Sequence, residues 1–475
     1  MSTARTIRHL RKEMANADSY STWTSAAQRL DETLGLDVWR ADAHSNAYEP
    51  ETVHDHIARL RGYRHSGAFG ALMDFLPESI YRLSGDLGDP SLYEVAHGGT
   101  KAIVNEYFQE SAQSIRYLAE ADLPGIDVDE KRRRLKHAAH SYGRSGLLLS
   151  GGATLGYYHL GVARALWTED LLPWVLSGSS MGAIIASAVC TRNDDELATW
   201  FDEVGHLAGK ALTLAPIHEV VANRAVMRQD ALERQLRAGI VDLTFAEAFE
   251  KSGRVLNISV SPTRRRQKPR VLNHRTAPDV LIIEACMASA AVPGLFKPVT
   301  LKRRTASGRS VAYLPTEQWS DGSLTGDVPK RRLSRLQNVN HFIVSQTNPH
   351  VLPFVKATSG SGHLSRFAGL AGLIARGQSK AWLGLAREIG LFTPVDTLVE
   401  GANAFLNQDY SGDINIHPRF EPSLYLRMFA NPDMELLNKF VLEGQRATWP
   451  KIEIIRNQTA IGRTLQQALN HLTTP

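Results

Sequence analysis

Gly146-Leu147-Leu148-Leu149-Ser150-Gly151-Gly152-Ala153-Thr154-Leu155-Gly156 and, a helix-length further on, Trp174-Val175-Leu176-Ser177-Gly178-Ser179-Ser180-Met181-Gly182 follow one pattern. Each is a short apolar run that opens into a glycine-rich turn before a helix-like stretch. In the second, Gly-x-Ser-x-Gly puts Ser180 on a sharp strand-to-helix turn, and its glycines leave room for a helix packed close behind. The apolar stretch Ala183 to Val189 fits that helix, whose N-terminus aims partial positive charge at the hydroxyl and at any anion formed there. The first turn presents free backbone N–H groups, which suit an oxyanion or a phosphate. No Gly-Lys-Ser/Thr closes it and Gly-x-Gly-x-x-Gly is not matched, so it fits a nucleotide loop poorly. A donor loop followed at once by a serine turn points to nucleophilic acyl transfer.

Downstream stand Trp319-Ser320-Asp321-Gly322-Ser323 and Gly326-Asp327-Val328-Pro329. Taken with the two glycine turns, these resemble the patatin-like phospholipases, which use a Ser-Asp dyad without histidine. The likeness is to the branch of triacylglycerol lipases that carries an N-terminal helical (DUF3336-type) domain. Tyr158-His159-x-Gly161-Val162, Val339-Asn340-His341-Phe342-Ile343-Val344-Ser345-Gln346-x-Asn348-Pro349-His350 and Gly444-Gln445-Arg446-Ala447-Thr448-Trp449-Pro450 read like that branch. The resemblance spans roughly residues 15 to 465.

It implies an α/β fold: a patatin-like three-layer α/β/α core with an N-terminal helical domain and C-terminal helices. It also implies a serine acyl hydrolase of long-chain glycerolipids, of triacylglycerol lipase or phospholipase type. Ser180 and Asp321 would be catalytic, and the N–H groups of Gly151, Gly152 and Ala153 would form the oxyanion hole. No metal or cofactor is implied. Two positions depart from the Gly-Gly-Gly-x-Arg/Lys-Gly of many patatins: Ala153 replaces the third glycine and Leu155 the cation. Backbone donors survive both changes, while the missing cation weakens the case for a strong phospholipid preference.

Composition sets the outer bounds. The chain has 475 residues, 43% apolar and 22% charged, so two or three domains are within reach. A net charge of +5 from 54 basic and 49 acidic residues permits an anionic membrane surface and does not call for nucleic acid. Cys190 and Cys286 sit in apolar stretches and read as small buried residues, neither a disulfide framework nor a metal set. The start, Met1 to Arg8, has no apolar run behind its charges, and no window approaches a spanning helix. The expectation is a cytoplasmic protein associated peripherally with a membrane or lipid-droplet surface.

Along the chain, 8–142 reads as a helical domain. Its helical runs are Thr22 to Leu36, Glu51 to Tyr63 and Tyr93 to Leu118, with Trp23, Leu30, Leu34, Val38 and Trp39 as core. Lys131 to Arg134 reads as a solvated helix face. The catalytic α/β core is expected over 145–350. Within it, strand Val255 to Val260 leads to a basic hairpin tip, Arg264 to Arg270, a candidate for anionic headgroups. Asp279 to Val292 reads as a buried helix whose end flanks an acyl pocket, and Val339 to Ser345 as a strand. Residues 351–475 read as helical and lipid-interacting. Apolar stripes at Phe367, Leu370, Trp382 and Ile389, with basic flanks over 366–389, fit a lipid interface or core packing, and helices close the chain from Met434 to Leu472.

In the mechanism so implied, Ser180 Oγ attacks an ester carbonyl while Asp321 takes its proton and returns it to the leaving alcohol. Three alternatives compete. One is a Ser180–Asp321–His341 triad, whose chain order fits although His341 opens an apolar strand. The second is a glycerolipid or lysophospholipid acyltransferase on the same dyad. The third is a silent membrane-docking protein. A His274-x4-Asp279 spacing of acyltransferase type is also present, stiffened by Pro278.

Overall fold

In the computed structural model, the run Arg144–Leu149 is the strand β1, hydrogen-bonded on both sides within a seven-stranded sheet. The structure describes residues 3–81, 87–122, 125–203, 209–216, 218–220, 225–264, 267–348, 410–419, 424, 427–428 and 430–473. Side chains of β1 alternate in direction. Leu147 and Leu149 join the larger apolar cluster, while Leu148 joins Val175, Val255, Leu333 and Val344 on the other face. Burial on both faces explains why the run is continuously apolar.

The other strands are β2 (Val175–Gly178), β3 (Val255–Pro262), β4 (Arg270–Leu272), the separate pair β5 (Lys302–Arg304) and β6 (Ser310–Ala312), β7 (Trp319–Asp321), β8 (Val339–Ser345) and β9 (Ile414–Ile416). The order is β4-β3-β2-β1-β8-β9. The pairs β3/β2, β2/β1, β1/β8 and β8/β9 are parallel, while β4 and β7 run antiparallel to β3. One detail of register positions the site. β4 shares Ile258 with β2 and Val260 with β7, so β4 holds one edge of β3 and both others hold the opposite edge. β2 ends at Gly178 opposite Ile258, and β7 takes up the same edge from Val260 onward. Asp321 therefore arrives just beyond the point where the chain leaves β2 for the Ser180 turn.

Five helices open the chain: α1 (Thr3–Asn16), α2 (Tyr20–Thr33), α3 (Leu36–Ala41), α4 (Pro50–Ser66) and α5 (Phe69–Ser79). Then come α6 (Ala102–Glu120), α7 (Val128–Tyr142), α8 (Tyr158–Thr168), α9 (Met181–Cys190), α10 (Asp194–Asp202), α11 (Gln229–Gly239), α12 (Phe245–Ser252) and α13 (Ile282–Ser289). The last three are α14 (Lys330–Gln337), α15 (Met434–Thr448) and α16 (Ile452–His471). Helices cover both faces: α9 and α13 contribute to the larger cluster, and Leu333 of α14 to the smaller. α8 and α15 pack with their backbones almost touching. A Cβ on Gly161 would stand 1.9 Å from Val441 O, and one on Gly444 2.1 Å from Tyr158 O.

A second core joins the ends of the chain. Val53, Ile57, Leu72, Tyr107 and Ile115 of the opening helices cluster with Ile461, Leu465 and Ala468 of α16. Several sequence expectations shift here. Leu34 and Val38, read as core, are 39% and 77% exposed because Gly35, in the left-handed region, ends one helix and turns the next outward. The helix read from Tyr93 begins at Ala102, since Gly98 and Gly99 interrupt it. Lys131, read as solvated, is buried with its Nζ donating to Ala121 O. The helix read from Asp279 begins at Ile282. β9 is a strand inside the region read as helical.

The hairpin after β3 forms as the β-branched run predicts, but two of its cations are engaged. Arg264 pairs with Glu317 at 3.3 Å, and Arg270 lies over the Trp319 ring at 5.1 Å. Arg265 and Arg266 lie outside the described residues, as do the apolar stripes of 366–389. Among the described residues, no helix is long and apolar enough to cross a membrane.

Candidate active site

Ser180 occupies φ 50°, ψ −123°, a backbone region that side chains rarely tolerate. The strain is held by close packing. A Cβ on Gly178 would lie 2.3 Å from the Gly182 carbonyl group, and one on Gly182 would lie 2.2 Å from Leu149 O. Only glycine fits at either place, which is the physical content of the Gly-x-Ser-x-Gly spacing. The Ser180 N–H donates to Ser289 Oγ (2.9 Å), whose hydroxyl donates to Ser259 O (2.7 Å). α13 and β3 thus brace the turn. Ser180 is 8% exposed and stands at the N-terminus of α9.

Asp321 ends β7 and is 1% exposed. Its N–H donates to Ala291 O (3.0 Å) and its Oδ1 accepts from the Ser323 N–H (2.7 Å), while Oδ2 meets no donor among the described residues. Burial pushes this carboxyl up to about 7. Ser323 pulls it down, the charge of Asp327 raises it, and the Ser180 hydroxyl also lowers it. The Ser180 hydroxyl thus stands near enough to the carboxyl to favour its charged form.

The glycine loop divides its donors. The Gly151 N–H, expected to face an oxyanion, instead donates to Asp327 Oδ1 at 2.8 Å, so Gly151 is removed from the oxyanion set. The N–H groups of Gly152 and Ala153 have no acceptor among the described residues. Ala153 sits at φ 47°, a region that favours glycine, which is why many patatins carry a third glycine there. The loop rests on a neutral histidine. Buried His159, lowered to about 3 by burial, has Nε2 against Ser150 O (3.0 Å) and Nδ1 against Ser345 Oγ (2.7 Å). Nε2 therefore donates and Nδ1 accepts.

Asp327 is the residue to which sequence assigned no role. Beyond Gly151, it accepts from the Ser179 hydroxyl and from Asn348 Nδ2 (2.6 Å), joining the glycine loop, the serine turn and the end of β8. Burial raises it to about 6, against these donors. Its place in Gly326-Asp327-Val328-Pro329, just after the Asp-Gly pair, was the available signal.

An apolar pocket of about 60 Å³ opens beside Ser180, lined by Tyr157, Ile184, Leu232, Val292, Leu295 and Phe296 among others. The stretch expected to flank an acyl pocket contributes Ala290, Val292, Leu295 and Phe296 to this lining. His341 is elsewhere. It pairs with Ser145 at the starting end of β1, whereas Ser180 follows the finishing end of β2. Its Nδ1 accepts from Ser145 (2.9 Å) and its Nε2 donates to Gln458 (2.8 Å). The triad geometry is therefore absent. His274 stacks on Phe249, ring centroids 4.3 Å apart. Among the described residues no cluster of His, Cys, Asp and Glu resembles a metal site.

A mostly parallel α/β sheet with a strained serine turn and a glycine loop at the finishing ends of its parallel strands defines the class of α/β ester hydrolases. Comparison with known proteins narrows it. Residues 147–332 match the family model for patatin-like phospholipase, and residues 1–140 match a domain of unknown function, DUF3336. Triacylglycerol lipase ptl3 of Schizosaccharomyces pombe is 33% identical over 98% of this chain and 97% of its own length. Triacylglycerol lipase SDP1L of Arabidopsis thaliana is 33% identical over 97% of the chain, which spans 59% of that protein. Triacylglycerol lipase 4 of Saccharomyces cerevisiae is 31% identical over 96% of the chain, which spans 52% of it. Among solved structures, VipD from Legionella pneumophila aligns over 63% of this chain and 67% of its own, at 15% identity and a TM-score of 0.28. The chain belongs to the patatin-like phospholipase family. It is a carboxylic ester hydrolase acting on lipid acyl groups.

Proposed function

We propose that the protein is a triacylglycerol-type lipase working through a Ser180–Asp321 dyad and an acyl-enzyme. The observation that carries this is the buried Asp321 carboxyl beside Ser180, with one oxygen free of donors and its pKa raised to about 7. An exposed aspartate is a weak base near neutrality, and burial brings this one into the working range. Ser180 Oγ attacks the ester carbonyl as its proton passes to Asp321. The N–H groups of Gly152 and Ala153 and the positive end of α9 receive the oxyanion. Collapse of the tetrahedral adduct expels the alcohol, which takes the proton from Asp321. Water then enters, gives its proton to Asp321 and adds to the acyl carbon; as this adduct collapses the fatty acid leaves and Ser180 Oγ takes the proton back from Asp321.

The apolar pocket beside Ser180 takes the first carbons of the acyl chain: its lining is mainly aliphatic and aromatic, with Thr154 and Asn431 as neutral polar members and no charged side chain among the described residues. Leu155 in place of a cation, together with relatives named triacylglycerol lipases, favours a neutral glycerolipid over a phospholipid. Such a substrate lies in an interface, so the protein docks reversibly on a membrane or droplet.

The test offers purified protein triacylglycerol, diacylglycerol, phospholipid and lysophospholipid in parallel, with released fatty acid measured. Triacylglycerol is expected to be cleaved fastest. Ser180→Ala and Asp321→Asn should each lose at least about a thousandfold of activity, while His341→Ala stays within about tenfold. Exclusive cleavage of phospholipid, or a folded and inactive His341→Ala protein, would overturn this assignment.

A further inference from the structure

At the opposite end of the sheet from Ser180, a groove of about 1300 Å³ runs between α7, the start of β1, the end of α14 and the end of α16. The described side chains that line it include Lys136, Arg144, Arg275 and Arg335 and no aspartate or glutamate. Arg132 and Arg133 also line it but are neutralised by Asp129 and Glu130 on their own helix. The other four make no ion pair with a carboxylate among the described residues. Arg275 is oriented by donating to Leu336 O at 3.0 Å.

Helix C-termini give a partial reason for cations here, since α7, α14 and α16 all end at the groove. Each helix end carries only about half a negative charge. Four whole charges outweigh three such ends, so the groove stays electropositive.

A second observation is independent of charge. Gln337, at the end of α14, lines the groove, is 2% exposed, and has both Oε1 and Nε2 without a partner among the described residues. A buried side-chain amide with neither atom satisfied is destabilising until something supplies its partners. The amide carries two N–H donors and an acceptor oxygen, buried beneath the groove surface, so a ligand reaches them as the side chain turns toward the groove.

We propose that this groove binds a phosphorylated polyol, with Lys136, Arg144, Arg275 and Arg335 around the phosphate and the Gln337 amide between phosphate and hydroxyl. A phosphate monoester carries close to two charges and three strong acceptors at neutral pH, which suits several convergent cations better than a carboxylate does. The hydroxyl of a polyol is the donor that Gln337 Oε1 lacks, while its N–H group turns to a phosphate oxygen. The same chemistry is offered by a phosphoinositide headgroup and by a soluble inositol phosphate. The proposal is independent of the role given to Ser180.

The experiment uses the full chain and two probes: inositol 1,4,5-trisphosphate by calorimetry, and phosphatidylcholine vesicles with or without phosphatidylinositol 4,5-bisphosphate by flotation. Arg275→Glu with Arg335→Glu should weaken binding by about tenfold or more, and Gln337→Met by about fivefold. Arg8→Glu with Arg11→Glu, exposed on α1, makes the same change in net charge and should leave binding unchanged. Binding of the trisphosphate with this pattern but no flotation on the lipid vesicles assigns a soluble ligand, and flotation with this pattern, with or without trisphosphate binding, assigns a headgroup. Failure of both probes to bind, or equal weakening by the α1 pair, would overturn the proposal. Arg275 and Arg335 are exposed, so their reversal tests it even if Gln337→Met fails to fold.

Discussion

Asp321 and Asp327 are both buried, and the charge of Asp327 is one of the influences that raise the Asp321 pKa to about 7. Such a pair takes up protons as a unit, so the base form of Asp321 appears only as pH climbs through that range. Asp327→Asn removes the charge while keeping an oxygen for Gly151 and Ser179. The Asp321 pKa then falls, and the acid limb of kcat/KM for a soluble short-chain ester should move to lower pH. A purely structural role would lower the rate and leave the limb in place. The two glycine turns that carry Ser180, Gly152 and Ala153, and the Asp-Gly pair at Asp321, were legible because their spacing reflects sterics that only small residues satisfy. The Gly151 assignment failed because its acceptor lies on a segment 176 residues away, which no local pattern reports. His341 was separable from the site in sequence only as the first part of an apolar run. Its place at the starting end of β8 explains why.

At the scale of elements, the two glycine turns are held by contacts from far along the chain. α8, which follows the donor loop, lies against α15 with Gly161 and Gly444 at the crossing. Gly161→Ala puts a methyl 1.9 Å from Val441 O, too close for a rigid backbone to absorb. It should cost about 3 kcal/mol or more in chemical denaturation and reduce activity by displacing the loop. Gly62→Ala, inside α4 with open space around it, should be neutral or stabilising by up to about 1 kcal/mol. Equal effects from the two substitutions would contradict the crossing as the constraint. β1, β3 and β8 were legible because both-face burial writes long apolar or β-branched runs. β9 was not, since three residues, Ile414 to Ile416, carry no period that separates strand from helix. Leu34 and Val38 misled for the opposite reason. Their apolar spacing is helical, but the chain turns at Gly35 and carries them into solvent.

For the whole molecule, the lipid substrate sets the problem, because a long-chain ester is reached only at an interface. Among the described residues no helix is long and apolar enough to cross a membrane, and the docking proposed above is by surface contact. Each cation near an anionic surface contributes about 1 kcal/mol, and that part is screened by salt. The protein should float with droplets or anionic vesicles at low ionic strength and be partly released at high salt. Complete indifference to salt would assign binding to apolar insertion alone. The joining of the opening helices to α16 in one core was illegible in sequence, since each helix shows an apolar stripe without naming its partner.

The central claim is that Ser180 forms the acyl-enzyme with Asp321 as its base. Its most direct test is labelling of the purified chain with a long-chain alkyl fluorophosphonate, followed by peptide mapping in the mass spectrometer. A single adduct on Ser180 is expected, absent in Ser180→Ala, formed at least about a hundredfold more slowly in Asp321→Asn, and little changed in His341→Ala. An adduct on a different residue, or Ser180 labelling that requires His341 and ignores Asp321, would contradict it.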